Sequence, residues 1–156
     1  MARVYTVVFE NVTVSAVQDL ISLKGSTGKV ARVLRLWLGA SNTSLQTAQS
    51  LRLNVKYSSA TFTVGSGGTA PTPRPADPGD AAASFTARVN DTTQGTTSGA
   101  FTNIMSQGVH NYAGIDWPFK NPLAFGLNEA IIFELLSTVS GTCAFSGGAE
   151  VEEYGS

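Results

Sequence analysis

Apolar and polar residues alternate with a period of two along most of the chain. In Leu51-Arg-Leu-Asn-Val-Lys-Tyr57, Leu51, Leu53, Val55 and Tyr57 fall on one face and Arg52, Asn54 and Lys56 on the other. That is the pattern of a half-buried strand in an antiparallel sheet. Phe62 and Val64 predict a partner strand after a short turn at Ser58-Ser59. The opening residues to Glu10 alternate in the same way, and Val12 to Ser15 is rich in β-branched side chains. Ala83, Phe85, Ala87 and Val89 alternate with Ser84, Thr86, Arg88 and Asn90. Ala130–Thr138 and Cys143–Glu153 complete the set, separated by Ser140-Gly141. Val30–Leu38 is apolar on both faces apart from Arg32 and Arg35, which predicts a central strand. The stem of each arginine can lie along apolar surface while its head reaches water or an acid.

One segment is ambiguous. Val17, Leu20 and Ile21 have helical spacing, but β-prone residues precede them and Lys24-Gly-Ser-Thr-Gly28 follows as a turn. A strand over 16–23 is preferred, with two to three turns of helix as the alternative. Eight or nine short strands at even spacing, with no alternation of strand and helix, predict one all-β domain over residues 1–156. The expected architecture is an antiparallel β-sandwich of jelly-roll type, with a barrel as competitor.

The connections carry most of the remaining information. Gly65-Ser-Gly-Gly68 opens a polar stretch to Asp80 that holds Pro71, Pro73, Pro75 and Pro78, four of the six prolines. Alternating prolines favour extended backbone, and a loop this long in a compact domain is usually functional or disordered. Asp77-Pro-Gly-Asp80 reads as a tight turn. Residues 91–102 form a second Thr/Ser/Gly-rich connection. Residues 107–127 form a third, holding His110, Tyr112, Trp117, Phe119 and Phe125.

Composition narrows the functional classes. Charged residues are 13% of the chain and net charge is −1, which argues against a nucleic-acid binder held by bulk charge. Apolar residues are 42%, enough for a core, and no apolar run approaches a membrane span. Residues 1–60 carry +5 and residues 61–156 carry −6. Pairing within one subunit is the simpler reading; opposite surfaces meeting between subunits is the other. Cys143 is the single cysteine, expected to be a buried thiol. The first residues lack the apolar core of a secretory signal, so folding in a reducing cytoplasm is expected. On that expectation the sequons at Asn11, Asn42 and Asn90 are only turn-favouring residues.

Candidate chemistry is sparse. His110 is the only histidine, so any histidine-dependent nucleophile would need it, and no Gly-x-Ser-x-Gly elbow is present. His110 is read instead as a surface or contact residue. One cysteine and one histidine cannot build a structural zinc site, and Asn90-Asp-Thr92 and Asp77–Asp80 lack EF-hand calcium spacing. The Gly65–Gly68 run lacks the Gly-Lys-Ser/Thr ending of a phosphate loop. Glu150 and Glu152 fall on one solvent face. Tyr112, Trp117 and Phe119 could form a sugar-binding platform, although aromatics in β proteins more often pack a core. No cofactor is expected.

Several segments together resemble small virion structural proteins of tailed bacteriophages. They are Ala2-Arg-Val-Tyr with Phe9, Ala16-Val-Gln-Asp-Leu20, Pro71-Thr-Pro-Arg-Pro-Ala-Asp-Pro-Gly-Asp-Ala-Ala-Ala83, Asn90-Asp-Thr-Thr93, Glu134–Gly141 and Ser146–Glu153. The resemblance spans nearly the whole chain and is most distinctive in the Pro-rich loop. It implies a jelly-roll-like sandwich without catalytic machinery, acting as a capsid decoration or cement protein on the virion. The implied partners are the major capsid protein and further copies of itself, a trimer being one form, with neither nucleic acid nor membrane. Contacts are then expected from Pro71, Pro73, Arg74, Pro75 and Asp77, with Arg74 as charged anchor, and from His110, Tyr112 and Trp117. The alternatives are a tail, neck or head-completion protein, a carbohydrate-binding module, or an enzyme built around His110.

Overall fold

The computed structural model describes residues 2–42 and 46–155. Residues 43 and 44, which complete the sequon at Asn42, lie outside the described residues. The strands are β1 (Ala2–Val14), β2 (Gln18–Lys24), β3 (Lys29–Ala40), β4 (Ser50–Ser58), β5 (Phe62–Thr63), β6 (Arg74–Pro75), β7 (Thr86–Asp91), β8 (Thr96–Thr97), β9 (Phe101–His110), β10 (Ile115–Phe125), β11 (Ala130–Leu135) and β12 (Cys143–Gly155). They form two five-stranded antiparallel sheets, ordered β10-β3-β12-β1-β6 and β7-β2-β11-β4-β9, with β5 and β8 paired apart from both. The sheets pack face to face as the expected β-sandwich.

The winding follows from which strands pair. β1 pairs with β12, β2 with β11, β3 with β10 and β4 with β9, all antiparallel. The chain is thus a long ribbon paired outside to inside and rolled over, which is the jelly-roll path. Residues 59–100 are an excursion between β4 and β9 that holds all four remaining strands.

The core comes from the inward positions of both sheets. Tyr5, Val7 and Phe9 on β1, Val33, Leu36 and Leu38 on β3, and Leu51, Leu53 and Val55 on β4 are all buried, as their alternation predicts. β3 lies between β10 and β12, so it is central as expected, but its two faces differ. Its outward Val30 is exposed, while Leu34, Arg35 and Trp37 are half-buried. Trp37 lies across Gly148 of β12, where an added Cβ would meet the indole at 2.4 Å, so only glycine fits there.

Segment 16–23 resolves as strand. Every residue of β2 from Gln18 to Leu23 is buried, because the outer face of this sheet is itself covered. Burial on both faces erased the period of two and left a spurious helical spacing.

Three expectations about the connections need correction. Phe62 does not pair with β4; β5 pairs with β8, Phe62 opposite Thr97. Residues 107–127 are not a loop, since β9 and β10 occupy most of that span and are joined by a turn over 111–114. Polar residues and Gly108 hid β9, and Pro118 and Pro122 hid β10; both lie at sheet edges, where such residues are tolerated. The Pro-rich stretch is not free of regular structure either. Arg74 and Pro75 pair with Thr6 and Tyr5 of β1, and the Ala76 N–H donates to Val4 O at 2.8 Å. Proline is tolerated there because an edge strand leaves one side of its backbone unpaired.

Candidate functional site

The eight residues singled out from the sequence fall in three places. Pro71, Pro73, Arg74 and Pro75 come together with Thr6 and Val8 of β1 around an open groove of about 500 Å³. The Pro-rich segment is laid along the β1 edge like a strap. Arg3 Nε donates to Asp80 Oδ1 at 3.1 Å and Tyr5 Oη to Ala81 O at 2.9 Å, fixing the strap's far end. The Asp80 N–H donates to Asp77 O at 3.0 Å, closing the tight turn expected at 77–80. Asp77 itself accepts from the Gly79 N–H, so its carboxylate caps that turn and does not line the groove.

The strap's near end is fixed by backbone pairing, which explains its glycines. Ser66 and Thr93 exchange both hydrogen bonds, as do Thr69 and Val89. Gly67 has a φ of +91°, and a Cβ on Gly68 would stand 2.1 Å from Val89 O. Gly65-Ser-Gly-Gly68 is a close crossing of two backbones. Within this frame Arg74 is exposed and makes no ion pair among the described residues. Thr6 and Val8 were missed as groove residues. The available signal was Val8, an apolar residue on the outward face of an otherwise alternating strand, and it is 45% exposed.

His110 and Tyr112 lie at the β9–β10 turn, on the opposite edge from the strap. Their rings stack with centroids 5.5 Å apart, and His110 Nδ1 accepts from the Tyr112 N–H at 3.3 Å. Tyr112 Oη bonds the backbone of Gln46. Both side chains are exposed.

Trp117 belongs to neither surface, which corrects its reading as a contact residue. It is 7% exposed and packs against Phe133 at 5.5 Å between centroids, and its Nε1 donates to Gln107 Oε1 at 2.9 Å. Phe119 is half-buried against the same core. The three aromatics therefore share no exposed platform, and Tyr112 alone is exposed.

Sequence reasoning also missed a buried charged cluster on the outer face of the β7–β9 sheet. Lys56 of β4 reaches Glu134 of β11 and lies 3.9 Å from Asp19 of β2. Its ammonium stands 4.3 Å from the centre of the Phe101 ring. Gln94 Nε2 donates to both carboxylates and the Gly95 N–H donates to Asp19 Oδ2 at 2.7 Å, so the 92–97 segment closes the cluster. Burial pushes the Asp19 carboxyl above its ordinary value, against the opposing pull of the Gly95 N–H, Lys56 and Gln94. Asp91 beside it is gripped by both arms of Arg88 and by the Gly68 N–H. No signal in the period-two pattern marks Asp19 or Glu134, because solvent-face positions become buried only when another segment covers them.

Glu153 is similar. It is 2% exposed and accepts from Lys29 Nζ, Ser84 Oγ and two backbone N–H groups, of Ser84 and Phe85. Burial works to raise its carboxyl, but these donors outweigh burial and hold it below its ordinary value. Cys143 is buried with its thiol free. Among the described residues, no group of three or more His, Cys, Asp or Glu side chains is placed to hold a metal. The two stretches weighed for calcium are occupied internally, Asp91 by Arg88, Asp80 by Arg3 and Asp77 by its own turn.

No protein-family model matches the chain, and no curated protein matches it at a significant level. Among solved structures, a chain from a structure of infectious bursal disease virus, Gx strain, aligns over all of this chain with 17% identity. The TM-score is 0.16, too slight a likeness to bear on function, and this chain spans 43% of that one.

Proposed function

We propose that this protein is a non-enzymatic virion structural protein, a capsid decoration or cement protein that binds the major capsid shell in many copies. The observation that carries the reading is the strap. A Pro-rich segment is held extended on the edge of a jelly-roll sandwich, with an exposed arginine and an open, largely apolar groove beside it. A segment already ordered on its own subunit loses little entropy on docking, which suits a small domain with limited contact area. The sequence resemblance in the same segment supports the reading. Pro71, Pro73, Arg74 and Pro75 are the proposed capsid-facing residues, and Asp77 holds the turn behind them.

The test is to find the chain in purified particles by mass spectrometry and count it against the major capsid protein. A copy number that tracks the capsid subunits is the expected result. About six or twelve copies, the stoichiometry of a closed ring, would move the protein to a neck or tail. Absence from particles would overturn the proposal.

A further inference from the structure

The two flanks of the sandwich are finished differently. On one flank the excursion covers both edges: β6 pairs with β1, and Thr69 pairs with Val89 of β7. On the other flank β9 and β10 are the outermost strands, each paired on one side only among the described residues. Open edges template pairing with further chains, and natural proteins blunt them with proline, charge or bulges. β10 carries all three devices. It has Pro118 and Pro122, the charges of Asp116 and Lys120, and a register break between Pro118 and Leu123.

β9 is finished otherwise. Phe101-Thr-Asn-Ile-Met-Ser-Gln-Gly-Val-His110 contains no proline, lysine, arginine, aspartate or glutamate. A single bulge at Ile104 leaves Met105–His110 as a regular run, paired to β4 from Val55 to Ser50. Most of the run is exposed, and Ile104 beside it is 38% exposed.

We infer that β9 is a self-association edge, pairing antiparallel with β9 of a second copy about a two-fold axis to make one continuous ten-stranded sheet. Three observations choose a second copy as the occupant. An uncharged strand meets its own copy without like-charge repulsion, whereas a charged partner strand would find no complement. The nearest charge on the sheet is Arg52 of β4, opposite Gly108. Across the seam two such guanidiniums stand three strand spacings apart, ~14 Å, beyond the ~8 Å screening length of physiological salt. The neighbouring edge β10 cannot serve as the acceptor strand, because Pro118 and Pro122 remove ladder donors. A six-residue seam is short, so the dimer is expected to be concentration-dependent. The inference concerns the isolated protein and stands independently of the virion reading.

The test uses the full chain in sedimentation velocity over a dilution series. Ser106 and Gly108 are two apart on one face of the run, and a side chain at 108 meets nothing closer than Leu51 O at 4.0 Å. Ser106→Lys with Gly108→Lys is expected to stay monomeric at concentrations where the unaltered chain has twice the mass. Mixing it with the Ser106→Glu, Gly108→Glu chain is expected to restore the doubled mass. As a check free of substitutions, amide exchange in Met105–His110 of the unaltered chain is expected to slow as concentration rises. An unaltered chain that is monomeric throughout would overturn the inference. So would an oligomer whose mass the lysine variant does not change, or exchange in 105–110 that ignores concentration.

Discussion

Trp117 shows how far a single residue can be read from its neighbours in sequence. The alternation Ile115-Asp-Trp117 allows it to face the core, and it does, against Phe133. Trp117→Ala is therefore expected to destabilise the isolated subunit by about 3–5 kcal/mol, the usual cost of deleting a buried large aromatic. Urea unfolding of the purified variant checks this; a change below about 1 kcal/mol would return Trp117 to the surface. Buried carboxylates were less legible. Asp19 is raised above 3.8 in the folded chain, so the native state holds more protons than the unfolded state above that pH. Its contribution to stability is then lost as pH rises through the folded value. Glu153 is lowered below 4.5, so its contribution is present above that pH and is lost as pH falls through the folded value. The two slopes oppose each other. Asp19→Asn removes only the first, so the stability of this variant relative to the unaltered chain is expected to rise as pH climbs from 3.8 through the raised folded value of Asp19 and then to level off. Urea melts across that range would show it, and a pH-independent difference would contradict it.

At the level of elements, strands whose apolar residues alternate or run together were legible, the fully buried β11 among them, and strands interrupted by polar residues or proline were not. The first halves of β4 and β1 carry the alternation openly because water lies on one side of them, and Asn54 and Lys56 keep it in the second half of β4 although their face is covered. β2 is buried on both sides and mimicked a helix, and β9 and β10 at open edges mimicked loops. The strap is the reverse case. Its prolines announced extended backbone, but only the fold shows that it runs along β1, since no local pattern names a distant partner. Arg74 is exposed and makes no ion pair among the described residues, so Arg74→Ala is expected to change subunit stability by less than about 0.5 kcal/mol while lowering occupancy on capsids at least tenfold. Particle binding by the variant, measured beside its melting curve, separates the two effects. Unchanged occupancy would remove Arg74 from the proposed contact.

For the whole molecule, the uneven charge along the chain has a geometric resolution. Arg3–Asp80, Lys29–Glu153, Arg35–Asp116 and Lys56–Glu134 each join a base from residues 1–60 to an acid from residues 61–156. The jelly-roll path requires this, because it pairs early strands with late ones. Pairing within one subunit, the simpler of the two sequence readings, accounts for these four ion pairs.

Sequence alone determined what each residue must do locally. It set the period of two, hence the all-β class, the inward face of most strands and the extended backbone of the prolines. These are properties of short-range sterics and of one side chain's affinity for water. Tertiary structure decided everything that depends on a second segment. It placed the strap on β1, covered Asp19, Lys56 and Glu134 with residues 92–97, closed one flank of the sandwich and left β9 open on the other. The reason is physical: strand pairing is made by backbone groups that every residue carries, so a strand's neighbour is chosen by the burial of the whole chain at once.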